Sequence, residues 1–163
     1  MSHYGDDAVI SGWHSRMMGE AAPKGCTCFR LRRTTRSMTR LYDAHLKVVD
    51  LTLTQYSVLA KLTGDVAPDM HRLAAVMGMD RTSLSRTLAP LEARGLIESA
   101  PGDDRRSRIV RLTETGKLLH REAEHHWRAA QDEIRERMGG RDLAQLHRLL
   151  DLVCERLAAD PSE

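Results

Sequence analysis

Apolar residues recur at three- and four-residue spacing through most of this chain, the period of helices that bury one face. From about Cys26 to Lys47 the candidate apolar contacts are Phe29, Leu31, Met38, Leu41, Tyr42 and Leu46. Thr52-Leu53-Thr54-Gln55 then has the form of a capping box, in which the Thr52 hydroxyl and the Gln55 amide satisfy each other's backbone donors. The helix it opens is expected to bury Tyr56, Leu59, Ala60 and Leu62 and to stop at Gly64. Asp69 caps a short helix through Met77, with Leu73, Ala74 and Met77 on one face, and Gly78 supplies the turn. Asp80 caps a second helix that runs to Arg94 and is closed by Gly95. Two short helices joined by a turn containing glycine are the signature of a helix-turn-helix.

Leu96–Ser99 and Arg108–Leu112 read as paired strands, with Ala100–Ser107, including Pro101-Gly102-Asp103, as the turn of a wing. Thr113 caps the next helix, and Glu114 suits its positive N-terminal dipole. Leu119, Ala123, Trp127, Ala130, Ile134 and Met138 repeat along that helix until Gly139-Gly140 breaks it. A last helix carries Leu143, Leu146, Leu149, Leu150, Val153 and Leu157. That stripe exceeds what so small a DNA-binding unit can cover, so the surplus predicts burial against a second copy of the chain. Residues 1–25 mix Gly, Ser, Asp and Pro23 without periodicity and read as a mobile arm, in which Trp13 and Met17-Met18 are the possible docking residues. The expected fold is mainly α: an arm over 1–25 and one domain over 26–163. Within it lie a winged helix-turn-helix at about 52–112, with a two-stranded wing, and dimerisation helices at about 26–47 and 113–159.

Composition supports this reading and sharpens one part of it. Aromatic residues make up only 4% of the chain, which disfavours a strand-rich sandwich. The net charge of +2 says little about partners, but its distribution is uneven. Residues 24–47 carry Lys24, Arg30, Arg32, Arg33, Arg36, Arg40 and Lys47 against Asp43 alone. Residues 81–111 hold seven arginines and four acids, whereas 113–160 balance eight bases against ten acids. No apolar run approaches a membrane span, and the first residues lack a signal-peptide core, so a cytoplasmic, nucleoid-associated protein is expected. Cys26, Cys28 and Cys154 have no zinc-ligand spacing and are expected to be reduced thiols there.

A recognition helix presents its N-terminal turns to the major groove, where Arg81, Thr82, Ser83, Ser85 and Arg86 would meet base edges and phosphates. Leu84, Leu88 and Leu91 would face the core, and Pro90 removes one backbone donor near the helix end, where a kink is the expected accommodation. At the wing, Arg106 suits insertion into a narrow minor groove, and Asp104 stands two residues away to orient it. Arg105 and Arg108 suit phosphates. A solvated charged turn would explain any one of these arginines, but poorly explains three in four positions.

The order helix, helix, helix-turn-helix, wing, long helix, helix resembles the MarR family of bacterial regulators over about residues 26–158. The resemblance is strongest in Asp80–Arg86, in Leu91–Ile97 and in Asp104–Gly116, which matches an Asp-x-Arg wing tip followed by strand, Leu-Thr and Gly. It implies a double-stranded DNA operator, a homodimer, and the same wing roles for Asp104 and Arg106. It also implies a small-molecule effector, often an aromatic carboxylate, in the cleft between the dimer helices and the DNA-binding lobe. Arg32, Arg36 and Arg40 repeat every four residues beside Phe29 and Tyr42, a cationic and aromatic set that could grip such an acid. A solvated face is the plainer reading of that stripe.

Cys28-Phe29-Arg30-Leu31 and Met38–Tyr42 also resemble the first helix of the family's organic-hydroperoxide-sensing branch, where two tyrosines hold a reactive cysteine across the dimer. Tyr42 matches one of them, but Arg32 stands in place of the other. A cysteine near a helix N-terminus and a cluster of arginines is favoured as the thiolate that oxidants attack. Cys28 is therefore the redox candidate, with burial as a small hydrophobe the alternative. His125-His126 beside Glu122 does not indicate a metal site, because adjacent helical residues point about 100° apart. No cofactor is indicated, and enzyme motifs are absent. Three functions remain: a ligand-released repressor, a thiol redox switch using Cys28, and an architectural DNA binder without effector.

Overall fold

Each of the four N-caps expected from the sequence forms, and together they set the order of elements. A computed structural model describes residues 25–64, 66–101 and 108–158, so residues 1–24 of the arm, with Trp13, Met17 and Met18, and residues 102–107 of the wing turn lie outside the described residues. Helix α1 spans Thr27–Leu46 and passes through a 3-10 turn, Lys47–Val49, into α2 at Leu53–Lys61. Helices α3 (Met70–Met77) and α4 (Arg81–Ala93) make the helix-turn-helix, and β1 (Ile97–Pro101) pairs with β2 (Arg108–Leu112). Helices α5 (Glu114–Met138) and α6 (Gly140–Ala158) complete the fold. The chain divides after Arg40 into two units, and the described part of the first is Gly25–Arg40.

In the second unit a single core gathers residues from the end of α1, α2, α3, α4, the hairpin and α5. Leu46, Val58, Leu59, Leu84, Leu91 and Val110 are fully enclosed. Burying each such side chain contributes about 1.5–3 kcal/mol. Tyr56 sits at the edge of this core and stacks on both His120 and Trp127 of α5, at centroid distances of 5.5 and 5.8 Å.

Both bonds of the capping box form at α2: the Thr52 hydroxyl accepts from the Gln55 N–H, and the Gln55 side chain accepts from the Thr52 N–H. A further acceptor comes from α1, where the Asp43 carboxylate takes the Leu53 N–H at 2.7 Å. Helix α2 ends at Lys61, short of Gly64, as its last turn tightens: the Leu62 N–H is shared between Val58 and Leu59, and the Thr63 N–H turns to Ala60. Ala60 is half-buried, whereas Val58, which the pattern did not single out, is enclosed.

The strand expected over Leu96–Ser99 starts one residue later and runs on through Ala100 and Pro101, expected in the turn but paired here with Ile109 and Arg108. Leu96 closes α4 instead, its N–H bonding the Leu91 carbonyl while Gly95 takes a left-handed φ of +65°. The hairpin is antiparallel, with Ile97 opposite Leu112 and Ser99 opposite Val110. A third segment extends the sheet, since Asp69 bridges Ile109 and the Val110 N–H bonds Pro68. The residue that caps α3 thereby also fixes the wing against the helix-turn-helix.

Candidate nucleic-acid interface

Helix α4 separates its two faces cleanly. Leu84, Leu88 and Leu91 are buried, while Arg81, Thr82, Ser85 and Arg86 are exposed on adjoining rows at four-residue spacing. Ser83 has a prior commitment, because its N–H and hydroxyl both donate to the Asp80 carboxylate, at 2.8 and 2.7 Å. Those bonds hold the Asp80 carboxyl below the usual carboxylate range. The cap thus stays anionic and keeps the reading turns wound. Helix α4 continues past Pro90 to Ala93, and Thr87 returns a hydroxyl bond to the Ser83 carbonyl.

Basic side chains flank this surface. Arg72 and His71 are exposed in the first turn of α3, the helix that crosses the DNA backbone in this motif. The sequence pattern does not single them out, because nothing local distinguishes them from a solvated face. At the wing, Arg108 is exposed at the start of β2, opposite Pro101. Asp104, Arg105 and Arg106 lie outside the described residues. Behind the hairpin, the Thr113 hydroxyl donates to the Gly95 carbonyl at 2.7 Å and its N–H to Leu96. The wing and the recognition helix are therefore locked together at one node.

The residues proposed for effector and redox chemistry sit on α1. Phe29, Arg32, Arg36 and Arg40 are exposed, and Arg40 donates to the Ser37 hydroxyl at 3.4 Å. Tyr42 is half-buried, and that burial raises its pKa above the ordinary phenol value. Cys28 is exposed in the first turn, while the Cys26 sulfur accepts the Phe29 N–H at 3.4 Å. In the second unit a cleft of about 530 Å³ opens between the end of α2, strand β2 and the first turns of α5. Arg111, Lys117, His120 and Arg121 face it beside Leu62 and Leu112. Lys117 is paired with Glu114, and burial lowers the His120 pKa, which favours a neutral imidazole at its edge. No residue of this cleft follows from any single stretch of sequence, since three separated segments build it.

Among the described residues no helix is long and apolar enough to cross a membrane. A family model described as MarR family matches residues 49–107, from the end of the 3-10 turn through α2, the helix-turn-helix and β1. The M. tuberculosis transcriptional regulator MosR, solved in complex with DNA, is 32% identical, with 78% of this chain and 98% of that one covered and a TM-score of 0.66. Wild-type MarR from E. coli is 24% identical over 82% of this chain and 98% of that one, with a TM-score of 0.65. The transcriptional repressor CouR, bound to a 23-mer DNA duplex, is 22% identical over 94% and 99%, with a TM-score of 0.73. These last two share the fold. With the exposed polar face of α4, the paired wing and the extent of the match to MosR, this chain belongs to the MarR family of DNA-binding transcriptional regulators, not to the enzymes.

Proposed function

We propose that the protein is a repressor that grips a pseudo-palindromic operator as a homodimer and releases it on binding a small aromatic acid or its thioester. The observation that carries the DNA-binding part is the exposed row of Arg81, Thr82, Ser85 and Arg86 opposite the buried leucines of α4. Two copies would place two such helices about one helical turn apart on the duplex. Arg105, Arg106 and Arg108 would follow the backbone and minor groove, with Asp104 orienting Arg106. Leu149, Leu152, Val153 and Leu157 are exposed along α6, an apolar row that a second copy would cover. Repression is in keeping with the CouR neighbour, which is described as a repressor on DNA.

Ligand release is supported by two cationic sets, the Arg32–Arg36–Arg40 stripe and the cleft faced by Arg111 and Arg121. A hundredfold preference of the ligand for the DNA-free form would supply about 2.7 kcal/mol of coupling. The redox reading keeps one specific support, the exposure of Cys28 in the first turn of an arginine-rich helix.

One experiment separates these readings. Operator affinity is measured with aromatic acids and with peroxide, for the native chain and for Arg32→Ala, Arg36→Ala and Cys28→Ser. Acid-induced release weakened in the arginine variants is expected. Peroxide release lost only in Cys28→Ser would replace the ligand with a thiol switch, and release by neither would leave an architectural binder. Acid release undiminished in both arginine variants would keep the ligand-responsive repressor and move its pocket away from α1.

A further inference from the structure

The corner after α1 holds the only non-glycine residue with positive φ among the described residues, Asp50, at φ 52° and ψ 47°. Aspartate tolerates this left-handed region better than most residues, but it remains uncommon. Its carbonyl accepts a hydrogen bond at 2.6 Å from Nη1 of Arg94, forty-four residues further on. Arg94 is the C-cap of the recognition helix α4. The same guanidinium nitrogen lies 3.6 Å from the Asp50 carboxylate, which is 93% exposed and adds little in that solvent. The bond to the carbonyl is the one that matters.

A surface carbonyl does not require this partner, since water satisfies such groups, and ordering a long guanidinium stem costs side-chain entropy. What the bond achieves is mechanical. The next two residues of the chain are also held, Gly95 and Leu96 each accepting a bond from Thr113 at the start of α5. The last turn of α4 is thereby tied on one side to the corner after α1 and on the other to α5. Thirteen helical residues extend about 20 Å, so a tilt of about 10° about that end moves the reading turns by about 3 Å. That displacement is close to the roughly 3.4 Å rise per base step.

We infer that Arg94, through its bond to the Asp50 carbonyl, is a positioning residue that fixes the angle of the recognition helix against the α1–α2 corner, and so sets the half-site spacing the protein accepts. The inference rests on the two-half-site, dimeric reading above.

The test uses the full chain and a duplex selected by it from random DNA, with variants one base pair longer and one shorter between half-sites. Arg94→Met keeps the apolar stem and removes the donors. It is expected to lose about tenfold in preference for the selected spacing, the effect of a bond worth ~1.4 kcal/mol. Arg94→Lys, which restores a cationic donor, should retain the preference within about threefold, ~0.65 kcal/mol on the same scale. Asp50→Asn keeps both the carbonyl and the left-handed turn, and should match the native chain. Equal weakening on all three duplexes would make Arg94 merely structural and overturn the inference, as would unchanged selectivity in Arg94→Met. If Arg94→Met fails to fold, Arg94→Gln is judged by the same ratio, and unfolding of both assigns Arg94 to stability and overturns it too. A native chain indifferent to spacing overturns the dimeric reading and the inference together.

Discussion

Gly116→Ala is expected to lower the thermal unfolding midpoint by roughly 6–12 °C, from a cost of about 3 kcal/mol at about 2–4 °C per kcal/mol. A Cβ at this position would lie 1.9 Å from the Leu96 carbonyl oxygen and 2.9 Å from its carbon. Both are backbone atoms, so no rotamer change relieves the overlap. The Leu96 oxygen also accepts the Thr113 N–H, and the Gly116 N–H donates to the Thr113 hydroxyl. Moving either segment would therefore break the node that joins α4, the wing and α5. Gly140→Ala is the matched control, because a Cβ there meets nothing within 4 Å. Thermal unfolding followed by circular dichroism reads both variants. A midpoint for Gly116→Ala within about 2 °C of the native value, under about 1 kcal/mol, would show that the α5 start is not packed this way.

Leu149→Glu combined with Val153→Glu is expected to leave each copy folded and abolish the proposed dimer. The two residues lie one turn apart on α6 and are 46% and 38% exposed, so neither supports the core of its own chain. Each is already more than half covered within its own chain, so a second copy would add about 0.8–1.5 kcal/mol per side chain, and the two copies together lose four of them. Loss of about 3–6 kcal/mol lowers the association constant by about 10²–10⁴-fold. Sedimentation should then report a monomer with native helix content and an operator affinity reduced accordingly. A stable dimer in this variant would place the interface elsewhere.

Sequence pattern and structure agree most closely where the determinant is local. Thr52, Asp69, Asp80 and Thr113 each cap a helix whose third residue supplies the donor, so four consecutive residues suffice to see them. Leu84, Leu88 and Leu91 were legible for the same reason, their spacing being the period of the helix itself. The features that escaped are those built from distant segments. Asp69 bridging Ile109 adds a third segment to the wing, and Asp43 reaches from α1 to the start of α2. The Arg94–Asp50 bond and the cleft between Leu62, Arg111 and Arg121 likewise join residues that no single window contains. Ser83, expected from its polarity to contact DNA, also gives its hydroxyl proton to Asp80, a bond the sequence pattern did not single out. Gly116 was visible as part of a motif, but only the approach of the Leu96 carbonyl supplies its physical reason.

Whether α4 reads bases while the wing grips the backbone and minor groove is decided by a salt-dependent DNA titration. The native chain, Arg86→Ala and Arg106→Ala are titrated against the selected duplex, a scrambled duplex and single-base variants at two salt concentrations. The native chain should discriminate strongly against the scrambled duplex. Arg106→Ala should weaken binding by about 1–3 kcal/mol and flatten its dependence on salt, as loss of a cation from the DNA surface requires. Arg86→Ala should alter preference at defined bases, because an arginine bound to a base edge carries sequence information that a phosphate contact does not. Equal affinity of the native chain for selected and scrambled DNA, or unchanged binding by both folded variants, would mean that α4 does not read bases or that the wing does not grip the duplex.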